Sequence, residues 1–202
     1  MRSNRARRRP QAVAGIAVLL IAATVAACAP QQITQRELTF ATVSPIALDV
    51  ARVDVVQRYQ PSFDDPYVDH LFRQVPADVI RRWAEARLQP AGGAGGATLY
   101  IEDASVLEEA LARTPGLAGA VTIDQSERYT ATFTVRLEVD NPTLGRRGVA
   151  TVTARRSITV PENATLADRS EVWLTLTEKT VDDLDARLEM EVRSNLPSFV
   201  AR

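Results

Sequence analysis

Tyr129, Ala131, Phe133, Val135, Leu137 and Val139 alternate without a break with Thr130, Thr132, Thr134, Arg136, Glu138 and Asp140. A period of two sends the two sets to opposite faces, so the segment predicts a β-strand with one face buried and the other wet. Asn141-Pro142 and Gly145 to Gly148 predict a turn. Val149 to Val160 then returns as the pairing strand, with Ala150, Val152, Ala154 and Ile158 on one face. Further on, Trp173, Leu176, Thr177, Val181, Leu184, Leu188 and Val192 recur at helical steps. Thr165-Leu166-Ala167-Asp168 resembles a capping box with Asp in place of Glu, and Pro197 marks the stop. A helix from there to about Asn195 is roughly 45 Å long and should lie across the sheet.

Towards the N-terminus, Val79, Ile80, Trp83, Ala84, Arg87 and Leu88 form one stripe behind Pro76, which suits the first turn of a helix; this helix should stop before Pro90. Ile46 to Val56 reads as a strand in which Ile46, Leu48 and Val50 share one face and Val53 and Val55 the other. That slip of phase predicts a bulge, or a strand covered on both sides. The stretch from Arg58 to Val75, with Tyr59, Phe63, Tyr67 and Phe72, is long for a loop in a compact domain and is therefore a candidate for function. Gly92 to Gly96 is followed by neither Lys-Ser/Thr nor a helix, so it predicts a flexible connector rather than a phosphate loop; Ala97 to Asp103 predicts a strand. Ser105 to Gln125 stays open between a strand continuing into an extended arm and a short helix, because Pro115-Gly116 and Gly119 forbid a long one. The order is strand, helix, strand, strand, strand, long helix. It implies an α+β fold: a small antiparallel or mixed sheet of about four strands, with two helices packed on one face and the C-terminal one long.

Ahead of all this, Arg2, Arg5, Arg7, Arg8 and Arg9 precede an uncharged run from Ala12 to Ala27, a positive region before a short apolar one, which is the pattern of a secretory signal. The run is shorter than the ~20 residues a comfortable membrane span needs. It ends in Val25-Ala26-Ala27-Cys28, which resembles a bacterial lipobox. The resemblance implies a diacylglyceryl thioether on Cys28, cleavage before it and acylation of the freed amine. Each buried lipid methylene contributes about 0.8 kcal/mol, so two or more chains hold a protein at a bilayer where one would not. The expected organisation is a signal peptide (1–27), a lipidated polar tether (28–42) and one α+β periplasmic domain (43–202).

Charge and composition sharpen this picture. The overall charge of -1 hides an asymmetry: five of the 24 basic residues lie before Cys28, leaving 19 against 25 acidic residues from there on. An acidic, exported domain argues against nucleic acid as a partner. Cys28 is the single cysteine, so no disulfide can form within one chain. His70 is the single histidine, and no Gly-x-Ser-x-Gly elbow accompanies it, so a Ser/His/Asp arrangement is not expected. Metal sites built from Cys and His are not expected either, nor is a cofactor. Asp64-Asp65, ahead of Pro66, reads as a turn. Glu178, Asp182, Asp183, Asp185 and Glu189 read as the solvated outer face of the last helix. Of Arg155 and Arg156, one must point towards the covered face, where an acid should meet it.

Val25 to Cys28, the alternating strand Tyr129 to Val139, its partner Val149 to Val160 and the helix from Thr165 together resemble the ABC-transport auxiliary lipoproteins and, more loosely, the lipopolysaccharide-assembly lipoproteins. The resemblance implies a non-enzymatic, lipid-anchored periplasmic accessory protein that docks onto an envelope or lipid transport assembly. Ala29 stands where an Asp in such lipoproteins resembles an inner-membrane retention signal, which favours the periplasmic face of the outer membrane. The alternative is a small-ligand or lipid-binding module, in which Tyr59, Phe63, Tyr67, Phe72 and Trp83 line an apolar groove. The same five residues are the candidate partner surface under the first reading.

Overall fold

The computed structural model describes residues 36–112, 125–143 and 145–201. The chain runs through β1 (Ile46–Leu48), β2 (Val53–Gln57), α1 (Pro76–Arg87), β3 (Leu88–Pro90), β4 (Gly96–Ala110), β5 (Gln125–Asn141), β6 (Arg146–Pro161) and α2 (Leu166–Asn195), with 3-10 turns at Asp69–Leu71 and Pro197–Phe199. The main sheet has the order β2-β4-β5-β6. Within it β2 is parallel to β4, and β5 is antiparallel to both its neighbours. A parallel pair needs a crossover, and α1 supplies it. Both helices pack on one face of this sheet, α2 chiefly on β6 and α1 on β4 and β2. The fold is α+β, as the pattern predicts.

The alternation in β5 is borne out residue by residue: Tyr129, Ala131, Phe133, Val135, Leu137 and Val139 are buried, while Thr132, Thr134, Arg136 and Glu138 are partly exposed on the other face. Ala150, Val152, Ala154 and Val160 of β6 join them beneath α2. Each large apolar side chain fully removed from water here contributes about 1.5–3 kcal/mol. Thr165 starts α2 as expected. Its Oγ1 accepts from the Asp168 N–H at 3.2 Å, and its own N–H donates to Asp168 Oδ2 at 2.9 Å. These two bonds stabilise the ionised carboxylate and hold Asp168 below the usual range.

Three sequence expectations are corrected. The single strand expected over Ile46 to Val56 is two strands in different sheets, because β1 pairs in parallel with β3 while β2 joins the main sheet; the slip of phase marks this break. The C-terminal tail closes the small sheet, with Ala201 N–H donating to the Ala47 carbonyl and Asp49 N–H to that of Phe199. Secondly, β4 continues to Ala110. A bulge between Ile101 and Asp103 shifts its phase, so burial passes from Ala97, Leu99 and Ile101 to Ala104 and Val106. A side-chain pattern that changes parity midway does not read as one strand. Residues 113–124, including Leu117, Val121 and Ile123, lie outside the described residues, as does the whole of 1–35.

Thirdly, the glycine connector is tightly fitted rather than loose. Gly95 has φ +80°, and a Cβ there would stand 2.2 Å from the Asp140 carbonyl oxygen; one on Gly92 would stand 2.5 Å from the backbone carbon of Asp49. Gly92 N–H also donates to the Val50 carbonyl at 3.0 Å. Only residues without a side chain let these backbones approach so closely.

Candidate functional site

The loop between β2 and α1 is built by pairing along the far half of β4. Val68 N–H donates to the Val106 carbonyl, Glu108 N–H donates to that of Pro66, and Tyr67 bridges to Leu107. The five aromatic residues singled out from sequence are thereby separated. Phe72 is buried and stacks on Trp173 of α2, with centroids 4.7 Å apart and planes 6° apart; Tyr129 meets the same indole edge-on at 5.6 Å. Trp83 is buried, and its Nε1–H donates to Asp185 Oδ1 at 3.0 Å. Tyr59 is half-buried and donates to Asp69 Oδ2 at 3.0 Å. Tyr67 is partly exposed, and Phe63 is 78% exposed with its ring 5.1 Å from His70. Phe72 and Trp83 are filled core, so the five do not line a common groove. Cys28 lies outside the described residues.

Asp69, which the sequence reading passed over, is fully buried, and its Oδ1 has no hydrogen-bond partner among the described residues. Burial raises its pKa, opposed by the hydrogen bond from Tyr59. Burial foremost, and then the Asp69 charge, raises that of Tyr59 in turn. Nδ1 of His70 is likewise buried without a partner. Asp64 lies in a turn, its carbonyl accepting from Tyr67 N–H at 3.0 Å. Among the described residues no cluster of three or more His, Cys, Asp or Glu is placed to hold a metal ion.

The acidic run of α2 departs from expectation, because each of its members has a basic partner. Asp185 and Glu189 converge on the buried guanidinium of Arg87, at 2.6 and 2.5 Å. Arg87 also donates to the Ser44 carbonyl. Asp183 takes a two-pronged bond from Arg156 at 2.7 and 2.8 Å, which is the acid expected to meet one of the two adjacent arginines. Glu178 receives Arg36 through two bonds of 2.7 and 2.9 Å, and Asp182 pairs with Lys179. A charge on a helix surface says nothing by itself about which neighbour covers it. Arg87, lying on the apolar stripe of α1, was the available signal that acids must face inward to meet it.

That Arg36–Glu178 pair belongs to the entry of the chain into the domain. Gln74 Nε2 donates to the Arg36 carbonyl at 3.1 Å, Gln74 Oε1 accepts from Leu38 N–H at 3.0 Å, and Leu38 is buried. Packing therefore begins at Arg36, inside the stretch expected to be tether up to residue 42.

The sheet face away from the helices is polar. Tyr100 lies under two guanidiniums, with Arg58 3.7 Å and Arg136 4.7 Å from its ring centre, and Glu102 accepts from both arginines at 3.2 and 3.0 Å. A cation over an exposed ring contributes about 0.5–1 kcal/mol. The adjacent clefts are open and polar at their rims. One of about 610 Å³ is lined by Arg52, Gly95, Gly96, Asp140, Arg147 and Val149. A second lies between Asp49, Arg146 and the Pro197–Ala201 tail, and a third of about 200 Å³ between β1 and the end of α2. All three are at the end of the sheet opposite the 58–75 loop.

No protein-family model matches the sequence, and no curated protein matches it. Among solved structures, a rare lipoprotein B from Shewanella oneidensis is similar over 71% of this chain and 95% of its own, at 14% identity and a TM-score of 0.39. A protein described as a putative neuraminyllactose-binding hemagglutinin homolog from Helicobacter pylori covers 76% of this chain and 92% of its own, at 5% identity and a TM-score of 0.39. A PelC dodecamer from Paraburkholderia phytofirmans covers 71% and 95%, at 17% identity and a TM-score of 0.25.

Proposed function

We propose that this chain is a lipid-anchored protein of the bacterial envelope, acylated on Cys28, whose domain docks onto a protein partner in an envelope or lipid transport assembly and carries no active site of its own. The observation that carries the reading is Val25-Ala26-Ala27-Cys28 directly behind a short apolar run and an arginine cluster. A lipobox in that position has a physical purpose: small residues admit the peptidase to the backbone, and the thiol takes the lipid. Two features of the domain support a docking role over a ligand-binding one. Its aromatic loop residues Phe72 and Trp83 are spent on the core, and its clefts are open with charged rims, unlike the largely apolar concave sites that enclose small ligands. Ala29 after the acylated residue supports the outer membrane's periplasmic face as its location.

Fractionation of cells carrying the wild-type chain or Cys28→Ala tests the reading, combined with crosslinking from the open sheet face at Arg155. The wild type should sediment with membranes and crosslink to a component of an envelope transport assembly; Cys28→Ala should leave the membrane fraction. A wild-type chain recovered from the soluble cytoplasm, or one whose crosslinks reach no envelope transport component, contradicts it.

A further inference from the structure

We propose that one end of the domain, marked by Phe63, Leu71 and Leu166, lies against the bilayer that holds the anchor; this rests on the acylation of Cys28 proposed above. The large exposed hydrophobic side chains are Val56, Phe63, Leu71, Val149, Leu166 and Met190. The topology divides them. β4 ends, β5 begins, β6 ends and α2 begins at the same end of the sheet, and the 58–75 loop is paired to β4 there through Val68 and Val106. Leu166 is the first residue of α2 and is 83% exposed, while Phe63 and Leu71 in the loop are 78% and 58% exposed. Val149 and Met190 are at the other end, near the start of β6 and towards the end of α2, and Val56 is on the open sheet face.

The place where the chain enters decides which end meets lipid. Gln74, in the last turn of the same loop, holds both Arg36 and Leu38. From Cys28 to Arg36 is eight residues, which fully extended span at most about 29 Å. The α2 helix alone, with 30 residues, is about 45 Å long. The leash is thus shorter than the domain, and it is fastened beside the 58–75 loop. The end carrying Phe63 and Leu71 is held near the membrane, whereas the end carrying the clefts, Val149 and Met190 is directed away. Apolar side chains rather than charge make the contact, because Asp64 and Asp65 stand next to Phe63 and offset Arg73. Shallow seating of such side chains, about 5–10 Å into the boundary of headgroups and acyl chains, is the usual depth for a protein lying on a bilayer.

The test uses the mature acylated protein in vesicles of phosphatidylethanolamine and phosphatidylglycerol. Single cysteines at Phe63→Cys, Leu166→Cys, Val149→Cys and Met190→Cys carry an environment-sensitive fluorophore, with Cys28 blocked by its lipid. All four positions are exposed, and each variant's thermal melt confirms the fold. Nitroxide-bearing lipids should quench the labels at 63 and 166 several-fold more strongly than those at 149 and 190. Equal quenching at the two ends, stronger quenching at 149 and 190, or a label at 63 that is shielded from water yet untouched by the nitroxide overturns the proposal. The last result assigns the patch to another protein or a second copy. Flotation of the same samples separates the two readings: protein that floats without quenching at 63 removes only this inference, and acylated protein that does not float removes both.

Discussion

Arg87 and Asp185 meet across the two helices, Nε to Oδ1 at 2.6 Å, and the same carboxylate oxygen accepts from the Trp83 indole. The arginine side chain is only 5% exposed and its acidic partner 28%, so the pair fastens α2 to α1 at a place where water replaces a lost partner poorly. Asp185→Ala should destabilise the domain by about 3 kcal/mol, the low end for orphaning a buried charge, since Glu189 still pairs with Arg87. On the same helix Asp182 pairs only with Lys179, both more than half exposed, and Asp182→Ala should cost less than about 0.5 kcal/mol. Urea denaturation of the two variants measures the difference; equal costs would mean that Arg87 finds enough solvent to do without its acid.

The glycine connector offers a paired test. Gly95→Ala forces a side chain into a left-handed conformation against the Asp140 carbonyl and should cost about 1–3 kcal/mol. Gly93, with nothing within 4 Å of an added Cβ, should accept alanine without loss, or with a gain of up to about 1 kcal/mol from the stiffer unfolded chain. A freely moving connector would tolerate both. Thermal melts of the two variants distinguish these cases.

At alkaline pH the tyrosines dominate. Burial, and then the Glu108 carboxylate, push Tyr129 from its ordinary 10.0 up to about 12, and Tyr59 moves in the same direction. The folded state keeps these protons where the unfolded chain has released them. Their contribution is therefore fully present below pH 10 and is lost as pH rises from 10 through about 12. A Tm series across that window should fall, and Tyr129→Phe should fall less steeply than wild type.

Asp69 has the same sign at the acid end. Its folded pKa is raised by burial, so its contribution is fully present below the ordinary value of 3.8 and is lost as pH rises through the folded value. Asp69→Asn cannot ionise and can still accept the Tyr59 hydroxyl. Its Tm should match wild type at pH 3.8 and below, then exceed it by a margin that widens towards neutral pH. Glu178 and Asp183, lowered by the hydrogen bonds from Arg36 and Arg156, act in the opposite direction and lose stability on acidification in both proteins, so the difference between the two isolates Asp69.

Where one face of an element meets the core and the other meets water, the sequence was a sufficient guide. β5, β6, the Thr165 cap and α2 were legible for that reason, and Arg156 could be assigned an acid because its parity in β6 placed it on the helix side. The signal failed where a third element intervened. The bulge at Ile101 and Asp103 reverses the parity of β4, and the pairing of β1 with β3 depends on a partner some 40 residues away. The acids of α2 looked solvated because nothing local reveals Arg87 or Arg36 on the other side. The aromatic loop was read as a surface, yet Phe72 and Trp83 are claimed by Trp173 and Asp185, partners from a helix that begins at Leu166.

The central claim is chemical and sits on one sulfur. Mass spectrometry of the N-terminal peptide of the protein extracted from membranes tests it most directly. The account predicts that the mature chain begins at Cys28, with a diacylglyceryl group on its thiol and a fatty acyl group on its amine. A peptide beginning upstream of residue 28, or Cys28 recovered as a free thiol, would contradict it.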